Sequence, residues 1–235
     1  MKFTWMKWSV LPVAVLMAGS VAMAQDQSSS GSQQPAPAPA ATPAATPTPA
    51  PAEKPKPTIA QRKENQQDRI AQGVKSGQLT AGETANLETK EAAINGETKA
   101  DRAANGGKLT GAEKKQINGQ QNQVSKQIYK DKHNANTQRY GNNKVDQRRE
   151  NQQDRIAQGV KSGQLTAGET AKLENQQKGI NQQVAADRKA NGGTLTASEK
   201  KQVNKEQNGA SKNIYHKKHN AQTQPQAQAQ TQPKP

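Results

Sequence analysis

Apolar residues in this chain are few, and they fall at helical intervals. Leu87, Ile94 and Thr98 stand seven and four apart, and Leu173, Ile180 and Val184 repeat those steps. Ile117, Val124 and Ile128 follow the same spacing, as do Val203, Ala210 and Ile214. Ile70 and Val74 sit four apart, matched by Ile156 and Val160. Such steps bring side chains onto one face of a helix with 3.6 residues per turn. The pattern predicts an all-α fold in which helix–loop–helix–loop–helix occurs twice. The middle helix, about 22 residues long, spans roughly 33 Å. Short loops at its two ends imply an up-down-up arrangement. The alternative is a set of long, largely exposed helices that pair only on oligomerisation.

The recurrence is a near-verbatim duplication. Glu64–Ala85 returns unchanged at Glu150–Ala171, an offset of 86 residues that persists with substitutions from Arg62–Gln138 onto Arg148–Gln224. Self-similarity at a fixed period means one structural unit used twice. Two copies of one surface suggest repeated binding or an array more readily than a single active site. The expected layout is a signal peptide over 1–24, a Pro/Ala-rich disordered linker over 25–57 and a first helical repeat over 58–138. An inter-repeat linker over 139–147, a second repeat over 148–220 and a disordered Gln/Pro tail over 221–235 complete it.

A shorter motif marks where helices begin. Gly-x-Leu-Thr-x-x-Glu occurs four times, starting at Gly77, Gly107, Gly163 and Gly193. Glycine ends a helix with a positive-φ residue. Thr then accepts the N3 amide of the next helix while Glu reaches back to the Thr amide, forming a capping box. The expected pairs are Thr80 with Glu83, Thr110 with Glu113, Thr166 with Glu169 and Thr196 with Glu199.

The ends are of a different kind. Lys2 and Lys7 precede a short apolar run over Val10–Ala18, and Ala22-Met23-Ala24 fits a small-x-small cleavage site. That run is too short to remain as a membrane span. With no cysteine in the chain, neither lipid attachment through cysteine nor a disulfide can occur. Of the thirteen prolines, none interrupts Thr58–Gln224. The leader holds all four Met, both Trp and the only Phe, so Tyr129, Tyr140 and Tyr215 are the aromatic rings beyond it. The core is therefore expected to be thin, and the monomer marginal or in need of a partner.

Charge adds a direction. The chain carries 34 basic and 19 acidic residues, a formal net charge of +15. Such an excess favours anionic surfaces through fields that salt screens. Outside the cytoplasm, the expected partners are anionic envelope polymers or lipid headgroups, together with self-association. No specific nucleic acid and no transmembrane segment after cleavage are expected.

Two clusters suggest chemistry. Gly-x-Leu-Thr-x-x-Glu resembles the second half of an EF-hand calcium loop, with Glu113 at the bidentate position and Gly107 at the turn glycine. The first half departs from that pattern: Arg102, Ala104 and Gly106 stand where Asp or Asn is needed. Calcium wants six to eight oxygens, so metal ligation rests on Asp101, Glu113, Asp187 and Glu199 alone, as a weak alternative. The second cluster, Ile-Tyr-x-x-Lys-His-Asn, brings Tyr129, Lys132 and His133 together, and likewise Tyr215, Lys218 and His219. These are candidate ligand contacts, since a ring beside cations can stack on a sugar while the cations pair with phosphate. Equally, basic residues there complement the helix dipole and the Tyr closes the core.

Catalysis finds no foothold. No Gly-x-Ser-x-Gly elbow or phosphate-binding glycine loop occurs, and the acidic residues lie among Gln, Asn and Lys as ordinary exposed acids. No enzymatic activity and no cofactor are expected. The motifs Asp-Arg-x-x-Asn-Gly-Gly-x-Leu-Thr-x-x-Glu, over Asp101–Glu113, and Ile128–Asn134 resemble those of uncharacterised exported helical repeat proteins of Gram-negative bacteria. That resemblance covers Arg62–Gln224, implies a periplasmic or secreted location and lends no catalytic residue. The leading expectation is a non-enzymatic cationic module acting on anionic envelope material. A hydrophilin-like stress protectant and a degenerate EF-hand calcium binder are the alternatives.

Overall fold

Six helices account for most of residues 56–224, the part of the chain that the computed structural model describes. They are α1 (Ile59–Lys75), α2 (Ala81–Ala104), α3 (Gly111–Lys132), α4 (Lys144–Lys161), α5 (Ala167–Ala190) and α6 (Ala197–Lys218). There is no strand among the described residues. The leader, most of the Pro/Ala-rich linker and the tail from Pro225 lie outside them.

Local chemistry sets the helix starts. Thr80, Thr110, Thr166 and Thr196 are the N-caps of α2, α3, α5 and α6, each in a complete capping box with the Glu three residues on. Thr58 and Gln61 form a fifth such box at α1. The α1–α2 and α4–α5 loops turn at Gly77 and Gly163, both at φ 70°, a region that favours glycine. Close packing adds a second reason at Gly77, where a Cβ would stand 2.4 Å from the Gln138 carbonyl oxygen.

Packing joins all six helices. The largest interface lies between α2 and α5, followed by α1 with α4, while α3 packs on α1 and α2, and α6 on α4 and α5. Ala157 of α4 joins the cluster built on Ile70, Leu87, Ile117 and Ile128, and Ala71 of α1 joins the one on Ile156, Leu165, Leu173 and Ile214. A third cluster holds Val145, Ile180, Val184, Leu195, Val203 and Ala210. Short aliphatic side chains fill these cores.

Amides complete what aliphatics cannot. Buried Gln66 donates to the Gln121 carbonyl (2.7 Å), and Gln121 donates back to the Ile59 carbonyl (2.9 Å). Gln152, Gln207 and Val145 repeat this exchange at 2.7 and 2.8 Å. Each such bond contributes about 1 kcal/mol net, so these residues zip α1 to α3 and α4 to α6. Short segments then clasp the loops: the Gln138 amide donates to the Gly77 carbonyl and the Gln224 amide to the Gly163 carbonyl, both at 2.8 Å.

Several expectations need correction. Lys144–Gln147, assigned to the inter-repeat linker, are the first turn of α4, because Asn143 caps it by accepting the Asp146 amide. Ala221–Gln224, assigned to the tail, are held by that Gly163 contact, and Gln224 is buried. The acidic residues are not uniformly exposed: Glu88, Glu91 and Glu174 are fully buried. Nor do Tyr129 and Tyr215 close the core, for they are 63% and 54% exposed.

Candidate functional site

The two repeated motifs meet. Each capping glutamate binds its Thr amide through one oxygen, and an asparagine occupies the carboxylate as well. Asn134 donates to Glu83 (2.7 Å), Asn220 to Glu169 (2.6 Å), Asn105 to Glu113 (2.8 Å) and Asn191 to Glu199 (2.8 Å). Thus the Asn of Lys-His-Asn ties the end of α3 to the start of α2, and the end of α6 to the start of α5. At Glu83 burial opposes ionisation, but bonds from Thr80, Asn134 and Asn136 outweigh it and hold the carboxyl below its ordinary range. The Thr110 amide chiefly does the same for Glu113, and the Thr196 amide for Glu199.

For a cation this leaves little. Asp101 lies near Glu113 and Glu97, so desolvation and their charges raise its carboxyl. Asp187 is the matching position, and its backbone carbonyl accepts from Asn191. Among the described residues no group of three or more His, Cys, Asp or Glu side chains is placed to hold a metal ion.

Tyr129 and Tyr215 form exposed platforms at the ends of α3 and α6. His133 and His219 stack on them with ring centroids 4.2 Å apart in both copies. The geometry comes from helix capping: His133 and His219 are C-caps, and each donates from Nδ1 to the Tyr carbonyl at 2.7 Å. His216 meets Tyr215 edge-on at 5.9 Å.

The lysines beside these rings turn toward α1 and α4. Lys132 donates to Gln72 (3.0 Å) and Lys218 to Gln158 (3.1 Å). Arg69 donates to the Ser125 carbonyl (3.1 Å) and Arg155 to the Ser211 carbonyl (3.4 Å). Lys132 is thereby set near Arg69, and Lys218 near Arg155. Partial burial, and next the neighbouring guanidinium, push both ammonium groups below their ordinary value. Between α1 and α4 runs an open groove of about 610 Å³ lined by Arg69, Lys75, Arg155 and Lys161, with Asp68 and Asp154 also on its walls. One arginine of each like-charged pair therefore lines the groove, as do the lysines' partners Gln72 and Gln158 and the small side chains of Ala71 and Ala157.

The groove's arginines were not singled out from the sequence, although a signal exists. Asp68-Arg69 and Asp154-Arg155 lie within the unchanged segment, so a polar surface is kept identical in both copies. Comparison of the chain with protein-family models, curated proteins and solved structures finds no match.

Proposed function

We propose that the protein is a non-enzymatic, exported cationic module that binds anionic envelope material across the α1–α4 face. In this reading the six helices are two copies of a three-helix unit. The carrying observation is the doubled like-charge pair, Arg69 with Lys132 and Arg155 with Lys218. Like charges held close cost free energy that an anion bridging them returns. The exposed Tyr129–His133 and Tyr215–His219 platforms end the same helices that supply the lysines, and offer ring faces to sugar or headgroup. Duplication supplies avidity, since a polymer or membrane engages both pairs at once.

Cosedimentation with phosphatidylglycerol vesicles tests this, with phosphatidylcholine vesicles as the control. The protein pellets with the anionic vesicles at low salt and is released as salt rises, and Arg69→Gln with Arg155→Gln weakens retention. Equal retention on both vesicle types, or no retention on either, contradicts the reading.

A further inference from the structure

The duplication supplies an internal comparison for a second groove. About 870 Å³ in volume, it lies between α1, α2, the start of α5 and Ala221–Gln224, and Lys63, Lys99 and Arg102 line it. Shifting by 86 residues gives the same place in the other half, where Arg149 stands for Lys63 and Arg188 for Arg102.

There the space is occupied by the chain itself. Asp146 accepts from Arg149 and from Arg188, both at 2.8 Å, and its side chain is 2% exposed. The Tyr140 ring covers the Arg149 guanidinium at 5.2 Å. Lys178 packs beside Gly82. Burial works against the Asp146 carboxylate, but bonds from Arg188 and Asn143 and the two guanidinium charges hold it below its ordinary value.

Among the described residues of the first half, the carboxylate and the long side chains that fill this space are missing. Ala60 replaces Asp146, Ala92 replaces Lys178 and Gly96 replaces Gln182, so the carboxylate and two long side chains are gone. The cations remain. Lys99 and Arg102 make no ion pair among the described residues, and desolvation lowers the Lys63 ammonium despite attraction from Glu91 and Glu88. Ile59, Ala92 and Ala167 give the groove apolar wall.

We propose that this groove is a binding site for an aromatic carboxylate, whose carboxylate bridges Lys63 and Arg102 and whose ring lies over Lys63. The ligand supplies what Asp146 and Tyr140 supply at the matching place. A carboxylate between two cations makes charge-assisted hydrogen bonds, and a ring over a partly desolvated ammonium adds cation–π attraction. The site shares no residue with the α1–α4 groove, so its fate is independent of the envelope-binding reading.

The charged surroundings give the site a pH dependence. Glu91, on α2, competes for Lys63. Burial pushes the Glu91 carboxyl up to about 7, against the pull of Lys63. Below that pH Glu91 is neutral and Lys63 is available to the ligand; above it Glu91 is ionised and holds Lys63. Glu88 on α2 and Glu174 on α5, each pushed up to about 8 by burial, ionise after Glu91, so at pH 8.5 Glu88 adds its own attraction for Lys63. Gln177 stands at the Glu91 position in the second half.

Calorimetric titration of the full chain with 3-(4-hydroxyphenyl)propionate at pH 6 and pH 8.5 is the test, with the corresponding amide as the neutral control. The acid saturates one site and binds about 10- to 100-fold more tightly than the amide. Its affinity falls between the two pH values, and Glu91→Gln removes the part of that fall centred near pH 7. Ala60→Asp, which installs the competing carboxylate while leaving both cations, abolishes binding, and Arg102→Gln weakens it about 10-fold or more. Absence of saturable binding overturns the proposal. So does binding that Ala60→Asp and Arg102→Gln leave unchanged, since the ligand would then sit elsewhere.

Discussion

The half built on α1–α3 and the half built on α4–α6 keep one frame and differ in where they place a carboxylate. Both keep the capping boxes of their second and third helices, the Asn–Glu locks and the reciprocal Gln bonds, in which side chains hold helix ends and neighbouring helices in place. The second half places its carboxylate at the start of α4, where Asp146 ties Arg149 to Arg188. The first places it in the middle of α2, where Glu91 is buried beside Lys63. Duplicated chains hold constant what sets helix ends and register. Charge partners drift more freely, and one half closes a groove that the described residues of the other leave open.

The sharpest way to break this comparison is Asp146→Ala. Removing one partner of a buried ion pair costs about 3–5 kcal/mol, because Arg149, also buried, is left without its anion. Ala60→Ser, at the matching position of the first half, changes stability by less than about 0.5 kcal/mol. Chemical denaturation of both variants gives the contrast directly, and equal small effects would dissolve it.

Next comes the buried acid set. Glu88 and Glu174, each accepting from a buried Gln on the neighbouring helix (3.0 and 2.9 Å), are pushed from an ordinary 4.5 up to about 8, chiefly by burial. Their folded-state values are raised, so the folded chain holds more protons than the unfolded chain between about 4.5 and 8. The contribution of these two acids to stability is therefore full below about 4.5 and is lost as pH rises through that window. Glu88→Gln combined with Glu174→Gln flattens the profile and stabilises the protein at pH 9, by an amount on the order of 5 kcal/mol for each acid removed. Thermal melts across pH check both the sign and the flattening.

Smaller and more symmetrical effects are expected at the caps. Thr80→Ala and Thr166→Ala each cost about 1 kcal/mol, and they cost nearly the same because both sites lie in the unchanged segment and share the same partners. Smallest of all, Tyr129→Ser and Tyr215→Ser change stability by under about 0.5 kcal/mol, since both rings face solvent. A marked loss in either would mean that the platforms are structural.

Helix starts at Thr80, Thr110, Thr166 and Thr196 are legible in the sequence because a capping box is a local signal, complete within four residues. The apolar stripe is legible for the same reason, and Leu87, Ile117 and Val203 are all buried. What could not be read is non-local. Glu88 and Glu174 resemble any other glutamate on a polar helix, and it takes the packing of α2 on α5, with Gln67 of α1 and Gln153 of α4 beside them, to bury them. Asn134 finds Glu83 across 51 positions of sequence. The first turn of α4 was hidden by Gly141-Asn142-Asn143, whose composition suggests a loop although Asn143 serves as an N-cap. The cationic groove needed α1 and α4 brought together, which no spacing within either helix announces.

The salt dependence of lipopolysaccharide binding tests the central claim most directly, with the wild-type chain set against Arg69→Gln, Lys132→Gln, Arg155→Gln and Lys218→Gln combined. Binding through the α1–α4 face predicts that affinity falls linearly with the logarithm of salt concentration. It also predicts that the four substitutions flatten the slope by roughly one unit for each contacting cation. A variant with the affinity and slope of the wild type would contradict the account, for the charge that binds would then lie on another surface.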